Sequence, residues 1–239
     1  MTAGAWTIGK LIQWTQDYFA GKGIASPRLE AEILLAHALG LKRIELYTGY
    51  NRAVPEEKRA GFRDMVRRRA RHCPTAYIVG RREFMSLEFR ITPDVLVPRP
   101  ETEFLVEGVL ERAPDRSAEL LIADIGTGSG CICVSLATRL GKARFIATDI
   151  SEAALAVARE NAERHGVAGR ITFLKGDMLE PLAKKGFEGG INFLLSNPPY
   201  VSEEEWPGLM PEVRDYEPKV ALLASGGDAL RYYRAIADG

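Results

Sequence analysis

The chain has little of what metal and disulfide chemistry require. Its 239 residues include only three cysteines and three histidines. Cys73, Cys131 and Cys133 show no metal-ligand spacing, and His37, His72 and His165 are scattered, so no metal is expected. An odd number of thiols argues against disulfides and for a reducing cytoplasm. No apolar run approaches the roughly 18–20 residues that cross a bilayer, and no targeting segment is expected ahead of Trp6. Net charge is absent too, since 32 Lys/Arg balance 32 Asp/Glu. A Gly-Lys-Ser/Thr sequence is also missing, which excludes a P-loop nucleotide hydrolase. What remains, 46% hydrophobic and 27% charged, describes an ordinary soluble globular protein of one large or two modest domains.

The zero balance conceals a split. Residues 1–75 hold 13 Lys/Arg against 7 Asp/Glu, which leaves +6 there and −6 beyond. This first part reads as helical. Thr7 caps a helix carrying Ile8, Leu11, Ile12 and Phe19, and Gly21 and Gly23 close it; Ser26-Pro27 opens another that ends at Gly40. A third, Pro55 to Arg71, carries Arg63, Arg67, Arg68, Arg69 and Arg71. Such a run reads either as a solvated face or as an electrostatic landing surface for an acidic partner or RNA. Ala76–Val79 and Leu87–Thr92 then read as two strands around Gly80, a hairpin linker over 76–100 that Pro93, Pro98 and Pro100 stiffen.

The chemistry-bearing part follows. Leu121, Ile122 and Ala123 form a short strand, Asp124-Ile125-Gly126-Thr127-Gly128-Ser129-Gly130 is a glycine loop, and Cys131–Arg139 suits a buried helix. A dinucleotide fingerprint wants its third glycine at 131, where this chain has Cys131, so a pyrophosphate ligand is disfavoured. A second strand, Ala143–Thr148, ends in Asp149, about twenty residues past the loop, where a carboxylate accepts from both hydroxyls of a ribose. A nucleoside without a diphosphate fits best. Ile171–Leu174 leads to Gly176-Asp177-Met178, and the run Ile191–Leu195 leads to Asn197-Pro198-Pro199-Tyr200. Four strands thus carry polar residues at their carboxyl ends, where an open parallel sheet binds ligands.

Asn197–Tyr200 reads as a clamp for a flat NH2 group. Two N–H donors need two acceptors, which the Asn197 side-chain oxygen and the Pro198 carbonyl supply, while Tyr200 covers the π-face. A proline pair also simply ends strands. The clamp by itself does not separate a glutamine amide from adenine N6 or guanine N2.

Asp124–Gly130, Asp149, Asp177 and Asn197–Tyr200 resemble the S-adenosylmethionine-dependent methyltransferases of the doubly wound class. Within them, Pro98-Arg99-Pro100-Glu101-Thr102-Glu103, Glu83-Phe84 with Leu87-Glu88-Phe89, and Pro211-Glu212-Val213 with Glu217-Pro218 are similar to the peptide chain release factor glutamine methyltransferases, from about residue 5 onward. The resemblance implies an α/β fold: a doubly wound, mostly parallel sheet over residues 101–239, a small helical substrate-recognition domain over 1–75, and a β-hairpin linker. It implies S-adenosylmethionine as cofactor, held by Asp124, Gly126, Thr127, Gly128, Gly130, Asp149, Asp177, Met178 and Asn197. Transfer is expected at Asn197, Pro198, Pro199 and Tyr200, to the amide nitrogen of the glutamine in a Gly-Gly-Gln tripeptide of release factors, and the basic helical domain helps hold that partner. Thr102 and Glu103 enter as pocket contacts or as an N-cap with its first-turn acid. Ser86 and Ala229 stand where the family more often has glycine. The family also continues for about another 40 residues, a few βα units, after the helix around Ala229–Ala237, so the C-terminal strands are expected to be missing here. No membrane partner is expected. A nucleic-acid methyltransferase and a non-enzymatic cofactor-binding protein are the rival readings; Pro98–Glu103 and a helical domain without a zinc-finger or helix-turn-helix signature weigh against the first, so no nucleic-acid partner is expected, and the intact clamp and glycine loop weigh against the second.

Overall fold

The computed structural model describes residues 5–113, 115–187, 190–224, 226 and 228–238. Contacts divide the chain into two compact units, Met1–Val79 and Gly80–Gly239. The first is helical, as its apolar spacing requires. In α1 (Ile8–Ala20), Thr7 Oγ1 accepts the Lys10 N–H at 3.3 Å. Pro27 starts α2 (Pro27–Leu39) with a φ already suited to a first turn, and Gly40, at φ 69°, ends it. With α3 (Arg43–Thr48) and α4 (Glu56–Arg69) these helices bury Ile8, Ile12, Phe19, Leu34, Leu35 and Phe62.

Two expectations change here. The arginines of α4 do not share one surface: Arg67 and Arg68 are exposed, but Arg69 is buried with its Nε 3.1 Å from Glu30 Oε2, and Arg63 pairs with Glu56. A guanidinium removed from water needs such a carboxylate. And Ala76–Val79, expected as a hairpin strand, is the helix α5 (Thr75–Val79). The Pro74 carbonyl accepts the Tyr77 and Ile78 N–H groups at 3.0 and 3.1 Å, and Gly80, at φ 75°, stops the turn. A four-residue apolar run suits a buried helical turn as well as a strand.

The hairpin therefore lies one element later. It joins β1 (Arg81–Phe84) to β2 (Leu87–Arg90), antiparallel, with Phe84 opposite Leu87. Met85 and Ser86 make the turn at φ 51° and 61°, both positive as a mirror-image two-residue turn demands. Neither is glycine, so the strain is held from outside: the Met85 N–H donates to the Glu103 carboxylate at 2.6 Å, and Arg139 donates to the Met85 carbonyl.

After α6 (Glu103–Arg112), strands and helices alternate: β3 (Leu121–Ile125), α7 (Cys131–Arg139), β4 (Arg144–Asp149), α8 (Glu152–Arg164), β5 (Ile171–Lys175), α9 (Glu180–Lys184) and β6 (Phe193–Ser196). All four strands are parallel, in the order β5-β4-β3-β6. Ala123, Ile125 and Ile146 pack with Leu182 of α9 on one face, while α7 and α8 cover the other. After β5 the chain returns past β4 and lays β6 on the far side of β3, creating a switch point at the carboxyl ends. The short α10 (Pro211–Arg214) and α11 (Arg231–Ala237) follow. Among the described residues no helix is long and apolar enough to cross a membrane.

Candidate active site

The loop between β3 and α7 is shaped by glycine in two different ways. Gly128 sits at φ 55°, and a Cβ there would meet nothing within 4 Å, so its face is open. Gly130, at φ 77°, faces α8 instead; a Cβ would stand 3.1 Å from that of Ala158. The loop folds over the end of β4, with the Thr127 N–H on the Thr148 carbonyl at 2.8 Å and the Gly128 N–H on Asp149 Oδ2 at 2.9 Å. Asp149 Oδ1 accepts the Ser151 N–H, also at 2.9 Å. Each oxygen thus spends one lone pair on backbone and keeps another. Burial raises the Asp149 pKa.

Asp124 lies beneath this loop, fully buried. Its Oδ2 accepts from Thr127 Oγ1 at 2.6 Å and from the Cys133 N–H at 3.3 Å, whereas Oδ1 has no partner among the described residues. Burial pushes its pKa up to about 6, and the charge of Asp149 adds to the rise, so the pair favours a cationic neighbour. The same burial pushes the Cys131 thiol up to about 12 and raises that of Cys133, which keeps both as inert thiols.

One cavity joins the strand ends. Gly126, Thr127 and Gly128 line it from the loop, Asp149 and Ile150 from β4, and Asp177 and Met178 from β5. Asn197, Pro198 and Pro199 line it from β6, whose end is tied to β3 by Ser196 Oγ donating to the Ile125 carbonyl at 2.8 Å. Asp124, Gly130 and Tyr200 do not line it; Tyr200 is half-exposed. Ile150 was not singled out in the sequence, although it is a large apolar residue left 51% exposed between the strand end and the Ser151 cap of α8.

The segment before α6 closes another wall. Thr102 is buried and lines the cavity, and its hydroxyl caps nothing; it accepts from Asn197 Nδ2 at 3.2 Å. Glu103 turns away to the Met85 N–H and lies off the cavity. Glu217 fastens this segment: nearly fully buried, it accepts from the Val97 N–H at 3.0 Å and from the Arg99 guanidinium at 2.6 Å. Burial raises the Glu217 pKa and Arg99 opposes the rise. The two separate stretches 97–103 and 211–218 are thereby one structure. Asn161 plays a similar part behind the loop, pairing with both the N–H and the carbonyl of Arg90 and donating to the Ser129 carbonyl at 2.9 Å. Its signal in the sequence is a lone amide on the apolar face of α8. Among the described residues no group of three or more His, Cys, Asp or Glu side chains is arranged to hold a metal.

These groups fit a nucleoside that carries a positive charge. Asp149 has spare lone pairs for a diol, the Gly128 face is open, Ile150 and Met178 offer apolar contact, and carboxylates supply the counter-charge. Residues 100–211 match the family model described as the methyltransferase small domain. The fold is also that of solved methyltransferases: the hMettl16 catalytic domain in complex with the MAT2A 3′UTR hairpin 6 superposes with a TM-score of 0.52 at 22% identity, over 73% of this chain and 62% of that one. The fold is thus the doubly wound one of these methyltransferases. Residues 10–80 match the model of the PrmC N-terminal domain. The release factor glutamine methyltransferase of Geobacter sulfurreducens is 46% identical over 231 residues, 97% of this chain and 78% of its own length. That of Rhodopirellula baltica is 45% identical over 226 residues, covering 93% and 75%. On this similarity the chain belongs to the release factor glutamine methyltransferase family.

Proposed function

We propose that this chain transfers a methyl group from S-adenosylmethionine to the side-chain amide nitrogen of the glutamine in the Gly-Gly-Gln tripeptide of peptide chain release factors. When bound, the cofactor supplies an electrophilic sulfonium methyl. Asp149 would accept the ribose hydroxyls, and Asp177 and Met178, which line the same cavity, would border the base. Gly126, Thr127 and Gly128 give the backbone approach, while Asp124 and Gly130 support the loop from beneath and behind.

The acceptor is a poor nucleophile, because its lone pair is delocalised into the carbonyl. Aim therefore matters more than a strong base. The Asn197 oxygen and the Pro198 carbonyl each take one N–H of the glutamine amide, point its nitrogen for in-line displacement, and stabilise the positive charge that grows there. Alignment of this kind is worth up to about 7–11 kcal/mol. Pro199 keeps the turn rigid, and Tyr200, half-exposed at the end of the motif, covers the amide plane.

The observation that carries the reading is that Asn197-Pro198-Pro199 and the Asp149 loop line the same cavity. Its test is incubation with radiolabelled cofactor and a release factor, with bulk RNA and DNA in parallel. Label is expected on the glutamine of the release factor peptide by mass spectrometry; label on nucleic acid alone would transfer the clamp to a base substrate.

The first unit, Met1–Val79, serves as the partner-holding domain in this reading, and the hairpin Arg81–Arg90 opens the second, which carries the transferase site. Arg67 and Arg68 are its exposed steering charges, and Arg69, committed to Glu30, is not. Reversing Arg67 and Arg68 to Glu is expected to slow association with the release factor and flatten its salt dependence, with cofactor affinity unchanged. Stopped-flow binding at two ionic strengths checks this; equal rates would return both arginines to a solvated surface. The three free thiols, all buried, suit a reducing compartment, and we assign the protein to the cytoplasm.

A further inference from the structure

Asn197 needs more than its position to act as a clamp. A side-chain amide has an accepting edge and a donating edge of nearly identical shape. Rotated by half a turn, it would point its own NH2 at the NH2 of the substrate, and two donors repel. Something must choose the edge. Pro198 and Pro199 have no N–H to give, and Ser196, the other polar neighbour in the strand, is committed to the Ile125 carbonyl.

Thr102 is the group in contact. Its Oγ1 lies 3.2 Å from Asn197 Nδ2 across 95 residues of sequence, and both residues line the cavity. It stands at the N-cap of α6, where a threonine hydroxyl ordinarily accepts a backbone N–H, yet it makes no capping bond. The hydroxyl is instead spent on Asn197. Thr102 is held firmly itself: its N–H donates to the Arg99 carbonyl at 3.1 Å, and Arg99 is anchored by the buried Glu217. A hydroxyl takes either hydrogen-bonding role, so the contact alone sets the amide plane; the edge follows from the chemistry, since only Nδ2 toward Thr102 leaves Oδ1 to accept from the substrate.

We propose that Thr102 is a positioning residue for methyl transfer, holding the Nδ2 edge of Asn197 so that its oxygen faces the amide nitrogen to be methylated. The proposal rests on the clamp reading of Asn197 and adds to it the element that orients the clamp. It also separates Thr102 from the cofactor: the hydroxyl acts through Asn197, so cofactor affinity is not its readout.

The test is a set of single-turnover methyl transfers to a release factor, with cofactor affinity measured separately by calorimetry. Thr102→Val keeps the shape and removes the hydroxyl; it is expected to slow transfer by about 10- to 100-fold, since it takes away the partner of Asn197 Nδ2 and leaves the clamp free to turn. Cofactor affinity should stay at the wild-type value, and Thr102→Ser, which restores the hydroxyl, should recover most of the rate. The decisive arm repeats Thr102→Val in the Asn197→Asp background. A carboxylate has two equivalent oxygens and no edge to choose, so only the plane is left for Thr102 to set and the loss there should be clearly smaller. An equal loss in both backgrounds would mean that Thr102 only packs, and overturns the proposal, as does a wild-type rate for Thr102→Val. If the Asn197→Asp background is too slow to read, Thr102→Ser decides: recovery supports orientation, and failure to recover overturns it. Asn197→Ala runs alongside, and a normal rate there would sink the clamp reading itself, a result distinct from any of these.

Discussion

Asn197→Ala is expected to lower the single-turnover rate of methyl transfer by about 10²–10³, the usual cost of removing one preorganised group that meets developing charge. In the proposed clamp the substitution deletes an acceptor and leaves an N–H of the bound glutamine unpaired. Aim and charge stabilisation are lost together. Cofactor affinity should change little, because Asp149, Asp177 and the glycine loop reach the cavity from other strands. Asn197→Asp is the finer control: it keeps an accepting oxygen toward the substrate and puts a second one, in place of Nδ2, beside Thr102, so its rate should fall between those of the wild type and the Ala variant. Tyr200→Phe should be milder than either, since the ring face survives. The pairing of a large rate loss with intact cofactor binding is what the clamp requires. A near-normal rate for Asn197→Ala would leave Asn197–Tyr200 as a strand-ending turn, with the reacting amide held elsewhere.

Gly128→Val should act on the other half of the reaction and weaken cofactor binding by on the order of 100-fold or more, because it combines backbone strain with a side chain placed in the cavity. At φ 55° a β-branched residue is strained whatever the space around it, and the open side that a Cβ would enter is the cavity wall. If the loop relaxes to relieve that strain, the Gly128 N–H leaves Asp149 Oδ2 and this carboxylate, proposed above to take the ribose, loses its orientation. Calorimetric titration with S-adenosylmethionine or its demethylated product reads the loss. Asp149→Ala gives the scale, at about 1.5–3 kcal/mol for hydrogen bonds to a charged group. Gly130→Ala is the contrast. Its Cβ would press on Ala158 at 3.1 Å, so the damage should appear as about 1–3 kcal/mol of lost stability, with Tm falling more than affinity. Unchanged cofactor affinity in Gly128→Val would remove the loop from the binding site.

Much of this was open to reading because it depends on neighbours in the chain. Three glycines inside seven residues can only be a loop, and the apolar run Cys131–Arg139 after them is α7, residue for residue. Thr7, Pro27 and Gly40 bound their helices through local backbone chemistry, which needs no distant partner. The parallel sheet follows from short apolar strands alternating with helices, and its polar strand ends identify where a ligand goes. Sequence thus determined the fold class, the family and the polar strand ends that meet in one cavity.

Tertiary structure decided whatever depends on residues remote in sequence. Ala76–Val79 carries a pattern that strand and buried helix share, and only packing chose the helix. Arg69 looks like its neighbours Arg67 and Arg68 until Glu30, 39 residues away, takes it into the interior. Glu217 enters the sequence as part of a motif with no role attached, and burial and Arg99 make it the anchor of the 97–103 segment. Thr102 has every mark of a helix cap; the fold brings Asn197 within hydrogen-bond distance and the hydroxyl goes there instead. A hydroxyl or a guanidinium bonds to whatever the fold sets beside it, and loop closure over tens of residues is decided by the packing of the whole sheet, which no local window of sequence contains.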